Sequence, residues 1–341
     1  RKRSMSDVLR VALSSKGGYE EATSRFLERC GISMLRPNPR QYVGRLSGMP
    51  DVEVLFQRTE DIVHKVTEGS ADLGITGLDL VTENGQDESN LVVVMDDLGF
   101  RRCELVIAVP EGWLDITTVA DLADLSIDLK RTGRTLRVAT KFPNLTRDFL
   151  YRHGINYFTV VDAHGALEAA PVLGYADIIT DLSETGVTLR DNRLRVLNGG
   201  IILRAQACLI AGRRAFRDHP GRLEIARPII ELAEARLRTR EVRLVTANVR
   251  GDSPESVARH VTAQFETAGR EGPTISNVFP KDGENSGWYG VTIIVPADRL
   301  LAAIDHLRLG GSSGITVTSP DYVFDGQSQA FERLVQAVEG I

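Results

Sequence analysis

Apolar and polar residues alternate along LRVALSS (9–15), and the run ends in Lys16, Gly17 and Gly18. Behind the glycines, YEEATSRFLERCG changes to helical spacing and stops at Gly31. The pattern predicts strand, glycine turn, helix. The same switch recurs: strands are expected in VEVLFQ, ADLGITG, LVVVMDD and CELVIAVP, and short helices in TEDIVHKVTEG and LDLVTENG. Strands and helices joined by short connections predict an α/β fold with a largely parallel sheet.

The alternation restarts after Asp121. TLRVATKFP, YFTVVDA and ADIITDL read as strands, and NLTRDFLYRHG, with Asn144 as its cap, and HGALEAAPVLG as helices. GGIILRAQACLIAG reads as one long strand returning to the first half. Two α/β lobes that enclose a cleft are therefore expected, the first from residues 1–104 and 196–238 and the second from 105–195. From Pro228 the pattern changes. A helix (PIIELAEARLRTR) leads into EVRLVTANV, SPESVARHVTAQFETAG, PTISNVFP, WYGVTIIVP, ADRLLAAIDHLRLGG and ITVTSP. The order βαββαβ is the ferredoxin-like unit, with GENSG (283–287) as its middle hairpin and a last helix in the tail. Residues 239–341 form this third domain.

Composition bounds the partners. A chain of 341 residues exceeds the roughly 250–300 that one core supports, which agrees with several domains. The net charge of −5 leaves no broad basic surface, so nucleic acid is not an expected partner and any phosphate site must be local. Cys30, Cys103 and Cys208 are far apart and odd in number, which fits buried thiols in a reducing compartment. The six histidines show no metal-ligand spacing. No apolar run approaches the roughly 20 residues that span a bilayer, so no membrane partner is expected. RKRSMSD is basic without a hydrophobic segment behind it, unlike a secretory signal. It reads as an appended segment or the end of a trimmed targeting segment. The expected compartment is the cytoplasm, with the plastid stroma as the alternative.

Ligands of open α/β sheets sit at the carboxyl ends of strands. Three loops hold that position: 15–18, 76–79 and 183–188. The third lies in DLSETGVTLRD (181–191), where Ser183, Thr185 and Thr188 offer hydroxyls and Gly186 permits a turn that points backbone N–H groups inward. Those parts suit a phosphate monoester. Asp181 and Glu184 would repel a phosphate at contact, and suit sugar hydroxyls or a divalent ion better. On these residues alone a structural turn and a ligand loop both remain open.

The surrounding spacing is more specific. Glu168, Gly174, Ala176, Ile179, Asp181, Leu182, Thr185, Gly186, Thr188 and Leu189 together resemble the signature of ATP phosphoribosyltransferase, the first enzyme of histidine biosynthesis. LRVALSSKGG, ADLGITGLD, CELVIAVP and RVATKFPNLTRDF resemble its core segments, and the βαββαβ unit with GPTIS resembles the regulatory domain of its long form. The resemblance spans residues 9–325. It implies two lobes arranged like a periplasmic binding protein, followed by a ferredoxin-like regulatory domain. Three positions depart from the family pattern. Gly18 stands where the family turn has Arg, a contact then to be supplied elsewhere, by Arg58 or Lys141. Glu184 stands where Ser is common, and Val187 where a small or polar residue is common.

The resemblance implies that ATP and phosphoribosyl pyrophosphate give N1-phosphoribosyl-ATP and pyrophosphate. Adenine N1 carries a lone pair and no proton at neutral pH, so little general-base help is needed. Positioning two anions and stabilising the leaving pyrophosphate is the harder task, which Mg²⁺ performs largely through phosphate oxygens. Asp181 and Glu168 are the implied catalytic pair. Asp181, Ser183, Glu184, Thr185, Gly186, Val187 and Thr188 hold phosphoribosyl pyrophosphate. Lys16, Gly17, Arg58, Gly77 and Asp79 face ATP or pyrophosphate. Each has a structural alternative: Lys16 as a solvated turn residue, Arg58 paired with Glu60 or Asp61, Asp79 as a helix cap. The regulatory domain is implied to bind histidine as feedback inhibitor, with Asp252, Thr274, Ser312 and Ser313 as candidates. Asp252 is equally readable as the cap of the helix at Pro254. A homohexamer with an active dimer is implied. Two other classes stay open: a solute-binding module without chemistry, and an amino-acid sensor with inactive lobes.

Overall fold

The computed structural model describes residues 8–38, 40–85, 89–162, 166–263, 272–279 and 287–340. The chain begins β1 (Leu9–Ser14), α1 (Gly17–Arg29), β2 (Met34–Leu35), β3 (Val43–Leu46), β4 (Met49–Gln57), α2 (Ile62–Thr67), β5 (Leu73–Gly77), α3 (Leu78–Asn84) and β6 (Leu91–Met95). It continues with β7 (Cys103–Pro110), α4 (Val119–Arg131), β8 (Leu136–Thr140), α5 (Pro143–Arg152), β9 (Phe158–Asp162), α6 (Ala170–Leu173), β10 (Ile178–Ser183), α7 (Val187–Asp191) and β11 (Leu194–Ala205). Then come β12 (Ala207–Gly212), α8 (Arg213–Asp218), α9 (Gly221–Arg238), β13 (Val242–Arg250), α10 (Pro254–Val261), β14 (Thr274–Asn277), β15 (Trp288–Pro296), α11 (Leu300–Leu309), β16 (Ser313–Thr318) and α12 (Gln329–Glu339).

Two sheets organise the first 227 residues. One runs β2-β3-β4-β1-β5-β12-β6 and the other β11-β7-β10-β8-β9. Each is mixed rather than largely parallel. β4, β1 and β5 are parallel, as are β10, β8 and β9, while β7, β11 and β12 run antiparallel to their neighbours. The antiparallel strands adjoin the two crossings between the sheets. One crossing enters β7, and the other leaves β11 for β12. The long run expected as a single returning strand breaks at Gln206, whose side chain donates to Asp96 O at 2.7 Å. Ala207 N–H donates to Phe100 O and Leu98 N–H to Ala207 O, so the crossings are hydrogen-bonded to each other. Sheet membership therefore differs from the expected division: Cys103, Glu104 and residues 196–205 lie in the second sheet, because Ala205 pairs with Cys103 at the end of β7.

The last helix also departs from expectation. Residues 330–341 group with the first 227, and the second compact unit is 228–329. Arg333 Nη1 donates to Val94 O at 3.1 Å, and the Arg227 guanidinium lies over the Phe331 ring. α4 and the short β2 and β3 had no counterpart in the sequence reading. α9 starts seven residues ahead of the expected helix at Pro228 and carries that proline inside.

The 228–329 unit is antiparallel, with order β14-β15-β13-β16. That is the ferredoxin-like order. α10 and α11 cover one face, where Val245, Ala247, Val249, Val291 and Ile293 pack with Val257, Val261, Ala303 and Leu307. The GENSG hairpin before Gly287, the RKRSMSD start, the His164–Gly165 opening of its helix and the second half of the helix that starts at Ser253 fall outside the described residues. Two expected caps move. Ser253, not Asp252, caps α10, in a capping box with Ser256. Phe142, not Asn144, precedes α5, because Pro143 occupies its first turn. The helical turn after the Gly186 loop begins at Val187.

Candidate active site

Three strand ends converge. β1 and β5 of the first sheet and β10 of the second end at Ser14, Gly77 and Ser183, and the residues just beyond them line one cleft of about 790 Å³. Lys16, Gly18, Tyr19, Thr59, Glu60, Asp79 and Glu83 come from the first lobe. Lys141, Phe142, Asn144, Asp181, Leu182 and Glu184 come from the second, with Arg101 and Cys103 at the crossing. A smaller cavity of about 250 Å³ opens from the same edge, lined by Glu168 and residues 181–189. The two share Asp181, Leu182 and Glu184.

The loop of the small cavity is anchored from below. Leu189 of α7 packs with Leu167, Ala170, Ala176 and Ile179, all buried. Burial of a leucine of this kind contributes roughly 1.5–3 kcal/mol. Gly186 has φ +71 and caps α7 in a left-handed conformation. Its N–H donates to Ser183 Oγ at 3.0 Å. A Cβ there would meet Arg190 Nη1 at 3.0 Å, so space and backbone both favour glycine. The N–H groups of the first helical turn have no acceptor within the helix. Together with the exposed Thr185 and Thr188 hydroxyls they offer donors to an anion. Val187 is 48% exposed, so its side chain does not fill the loop.

Asp181 stands beside this loop in β10. Burial pushes its carboxyl above the usual range and the nearby Glu168 adds to the rise, while Leu182 N–H and Lys141 oppose it. Two facing carboxylates with one lysine suit ribose hydroxyls or a divalent ion. Among the described residues no group of three or more His, Cys, Asp or Glu is placed to hold a metal by itself. The carboxylates that fit a partial ligand set are Asp181 and Glu168.

In the first lobe Asp79 is buried in the first turn of α3. Burial raises its carboxyl, and the N–H groups of Asp79 and Leu80 and the Arg101 charge lower it. A Cβ on Gly77 would collide with the Asp79 carboxylate, so this glycine makes room for Asp79 rather than facing the cleft itself. Lys16 is exposed at the cleft wall. Gly17 supplies the turn, with φ +74. Arg58 is exposed, and it is Thr59 and Glu60 beside it that line the cleft. Cys103 lines the wall, but burial and the charges of Asp79 and Glu184 push its thiol up to about 11, so it is not an activated nucleophile.

Sequence reading missed Arg101, Tyr19 and Glu83. Glu83 of α3 reaches across the cleft, where its carboxylate accepts from Asn144 N–H at 2.8 Å and Leu145 N–H at 2.9 Å. It thereby satisfies the start of α5 in the other lobe, a role no local pattern announces. Arg101 Nη1 lies 2.8 Å from Glu184 Oε1. The only signal for it was the pair of arginines ahead of β7.

In the 228–329 unit the four candidates are not gathered. Ser313 pairs with Asn248 on one side of the sheet, and Thr274 pairs with Thr292 on the other edge strand. Three strand spacings, roughly 14 Å, separate those edges. Asp252 lies beyond the end of β13, at the same end as Ser312 and Ser313. Thr274 instead lines a cavity of about 590 Å³ with Thr292, Phe324 and Asp325. Thr274, Thr292, Thr246 and Thr316 are paired in register across all four strands, on the face away from the helices.

Comparison with known proteins identifies the family. The ATP phosphoribosyltransferase family profile matches residues 58–235, and that of the HisG C-terminal domain matches 239–320. ATP phosphoribosyltransferase 1, chloroplastic, of Arabidopsis thaliana is 38% identical over 97% of this chain and 81% of its own length. ATP phosphoribosyltransferase of Nitrobacter winogradskyi is 36% identical over 97% of this chain and 98% of its own. A solved ATP phosphoribosyl transferase (HisG:HisZ) complex from Thermotoga maritima shares the fold, with TM-score 0.51 and 24% identity over 67% of this chain and 99% of that one. With the profile over more than half its length and relatives matched nearly end to end, the chain belongs to the ATP phosphoribosyltransferase family.

Proposed function

We propose that the loop 181–188 holds the ribose 5-phosphate of phosphoribosyl pyrophosphate, and that the 790 Å³ cleft beside it takes ATP and the departing pyrophosphate. The chain transfers the 5-phosphoribosyl group to N1 of ATP and releases pyrophosphate, the first step of histidine biosynthesis, under feedback inhibition by histidine. The observation that carries the placement is the shared wall of the two cavities: Asp181, Leu182 and Glu184 belong to both. A sugar anchored by its phosphate in the small cavity has its anomeric carbon near the large one.

The chemistry needs alignment more than proton transfer. Attack by the adenine N1 lone pair on the anomeric carbon breaks the bond to pyrophosphate, with no proton to remove first. Asp181 and Glu168 orient the ribose hydroxyls, while Ser183, Thr185, Val187 and Thr188 donate to the 5-phosphate and Gly186, its N–H bonded to Ser183 Oγ, turns the loop. Lys16 faces the pyrophosphate, and Asp79 faces the ATP side. The reaction takes a divalent metal, for which Mg²⁺ is the natural ion. Asp181 and Glu168 would supply one or two of its ligands, phosphate oxygens and water the rest. A bound metal ion would withdraw charge from the leaving pyrophosphate.

Histidine is assigned to the 228–329 unit. The cavity of Thr274 and Thr292 offers hydroxyls to an amino acid, beside the Asp325 carboxylate that Arg238 Nε holds at 3.1 Å. A homohexamer with an active dimer is the proposed assembly, tested by sedimentation with and without histidine. The cytoplasm is the proposed compartment, with the plastid stroma as the alternative. No helix among the described residues is long and apolar enough to cross a membrane. The direct test is a steady-state assay with ATP, phosphoribosyl pyrophosphate, Mg²⁺ and pyrophosphatase. Product formation suppressed by histidine supports both assignments; its absence from folded protein contradicts the first.

A further inference from the structure

We propose that Arg101 is a phosphate ligand of this active site, held by Glu184 in the free protein and taken over by the diphosphate of phosphoribosyl pyrophosphate on binding. The inference rests on the placement of that substrate given above. Arg101 sits on the crossing into β7 and lines the cleft together with Glu184. Its φ of +55 is rare for a residue with a side chain, and glycine would adopt it without strain. The guanidinium lies back over the β1 turn. There Arg101 Nη1 lies 3.6 Å from where a Cβ of Gly18 would stand. A cation from a distant segment thus occupies the space that a side chain at position 18 would enter. The contact that the missing turn arginine left open is met by Arg101, whereas sequence reading had looked to Arg58 or Lys141.

The surroundings keep that cation ready. The Arg101 guanidinium carbon is 5.6 Å from the centre of the Tyr19 ring, and Tyr19 packs edge-on against Phe100. Nη1 is 2.8 Å from Glu184 Oε1, with the two side chains 40% and 50% exposed. A half-exposed pair of this kind is weak and screened by salt. A diphosphate carries more charge than a carboxylate and accepts parallel, charge-assisted bonds from a guanidinium. It can therefore displace Glu184. The carboxylate in the phosphate loop is then a stand-in for the ligand on the Arg101 guanidinium.

The test compares KM for phosphoribosyl pyrophosphate and inhibition by inorganic pyrophosphate in wild type, Arg101→Ala, Arg101→Lys, Glu184→Gln and the double variant Arg101→Ala/Glu184→Gln. Thermal melting confirms that each is folded. Arg101→Ala is expected to raise both constants about 10- to 100-fold. Arg101→Lys, which keeps the charge but not the planar fork, falls between. Glu184→Gln, which frees the guanidinium, lowers both a few-fold. The double variant should stay as weak as Arg101→Ala. Recovery of wild-type constants in the double variant would show that Arg101 only neutralises Glu184, and would overturn the proposal. So would an Arg101→Ala enzyme with unchanged constants. A wild-type protein without turnover would instead remove the substrate placement on which the proposal rests.

Discussion

The turn after β1 presents Lys16 and two glycines, whereas the loop after β10 surrounds Gly186 with Ser183, Thr185 and Thr188. Both close the carboxyl end of a strand at the same cleft. The β10 loop carries its own donors and its own anchor, since Gly186 N–H bonds to Ser183 within four residues and Leu189 is buried beneath. The β1 turn borrows. To its own Lys16 it adds Arg101, 83 positions along the chain from Gly18, and its own Tyr19 packs against the distant Phe100. A self-contained loop is fixed by local sequence. A borrowed site exists only once the fold has closed.

This contrast is broken most severely at Asp181. Asp181→Asn keeps the shape and removes the charge that orients ribose, and kcat/KM should fall roughly 10²–10³-fold. Stability should move the other way. The folded protein holds a proton on Asp181 at higher pH than the unfolded chain does. Ionisation therefore costs stability as pH rises from the unfolded value to the folded one. Asp181→Asn should melt higher than wild type at neutral pH, with the difference vanishing below the ordinary carboxylate range. The acid limb of wild-type activity should lie above that range. Equal melting curves at pH 7 would contradict the buried-charge account.

Gly186→Val tests the self-contained loop. A left-handed residue with a side chain costs roughly 1–2 kcal/mol, so KM for phosphoribosyl pyrophosphate should rise about tenfold, while histidine binding to the other unit stays unchanged. Glu83→Ala probes the borrowed side of the cleft. It removes a charged acceptor from two N–H groups of α5 and should destabilise by roughly 1–3 kcal/mol, read as a lower melting temperature. The smallest effect is expected at Asp121, far from both loops. Backbone N–H groups of Thr118 and Thr117 hold its carboxyl at about 2. Its contribution to α4 is present above the ordinary carboxylate value and lost as pH falls through about 2, so Asp121→Asn should lower melting slightly at pH 7 and leave kcat unaltered.

The division between local and borrowed features also explains what the sequence disclosed. Alternation marked β7 and β15 to the residue, and the βαββαβ order of the second unit was visible because its core faces repeat every second position. The 183–188 loop was visible as a candidate because Ser183, Thr185, Gly186 and Thr188 lie close together in the chain. Glu83, Arg101 and Tyr19 were not, since each acts on a segment far away in the chain. The same holds for the split at Gln206, where the single polar residues Arg204 and Gln206 within a mainly apolar run did not announce that the chain changes sheets. Asp252 was read equally as a histidine contact or as the cap of the helix at Pro254, and the adjacent Ser253 took the cap role because its hydroxyl reaches Ser256 N–H.

The most direct measurement is a crystal structure of the protein with phosphoribosyl pyrophosphate and Mg²⁺. The account predicts the 5-phosphate within hydrogen-bond distance of Ser183, Thr185, Val187 and Thr188, the ribose hydroxyls on Asp181, and the diphosphate in the cleft toward Lys16 and Arg101. A 5-phosphate bound at the β1 turn, with the β10 loop empty, would contradict it.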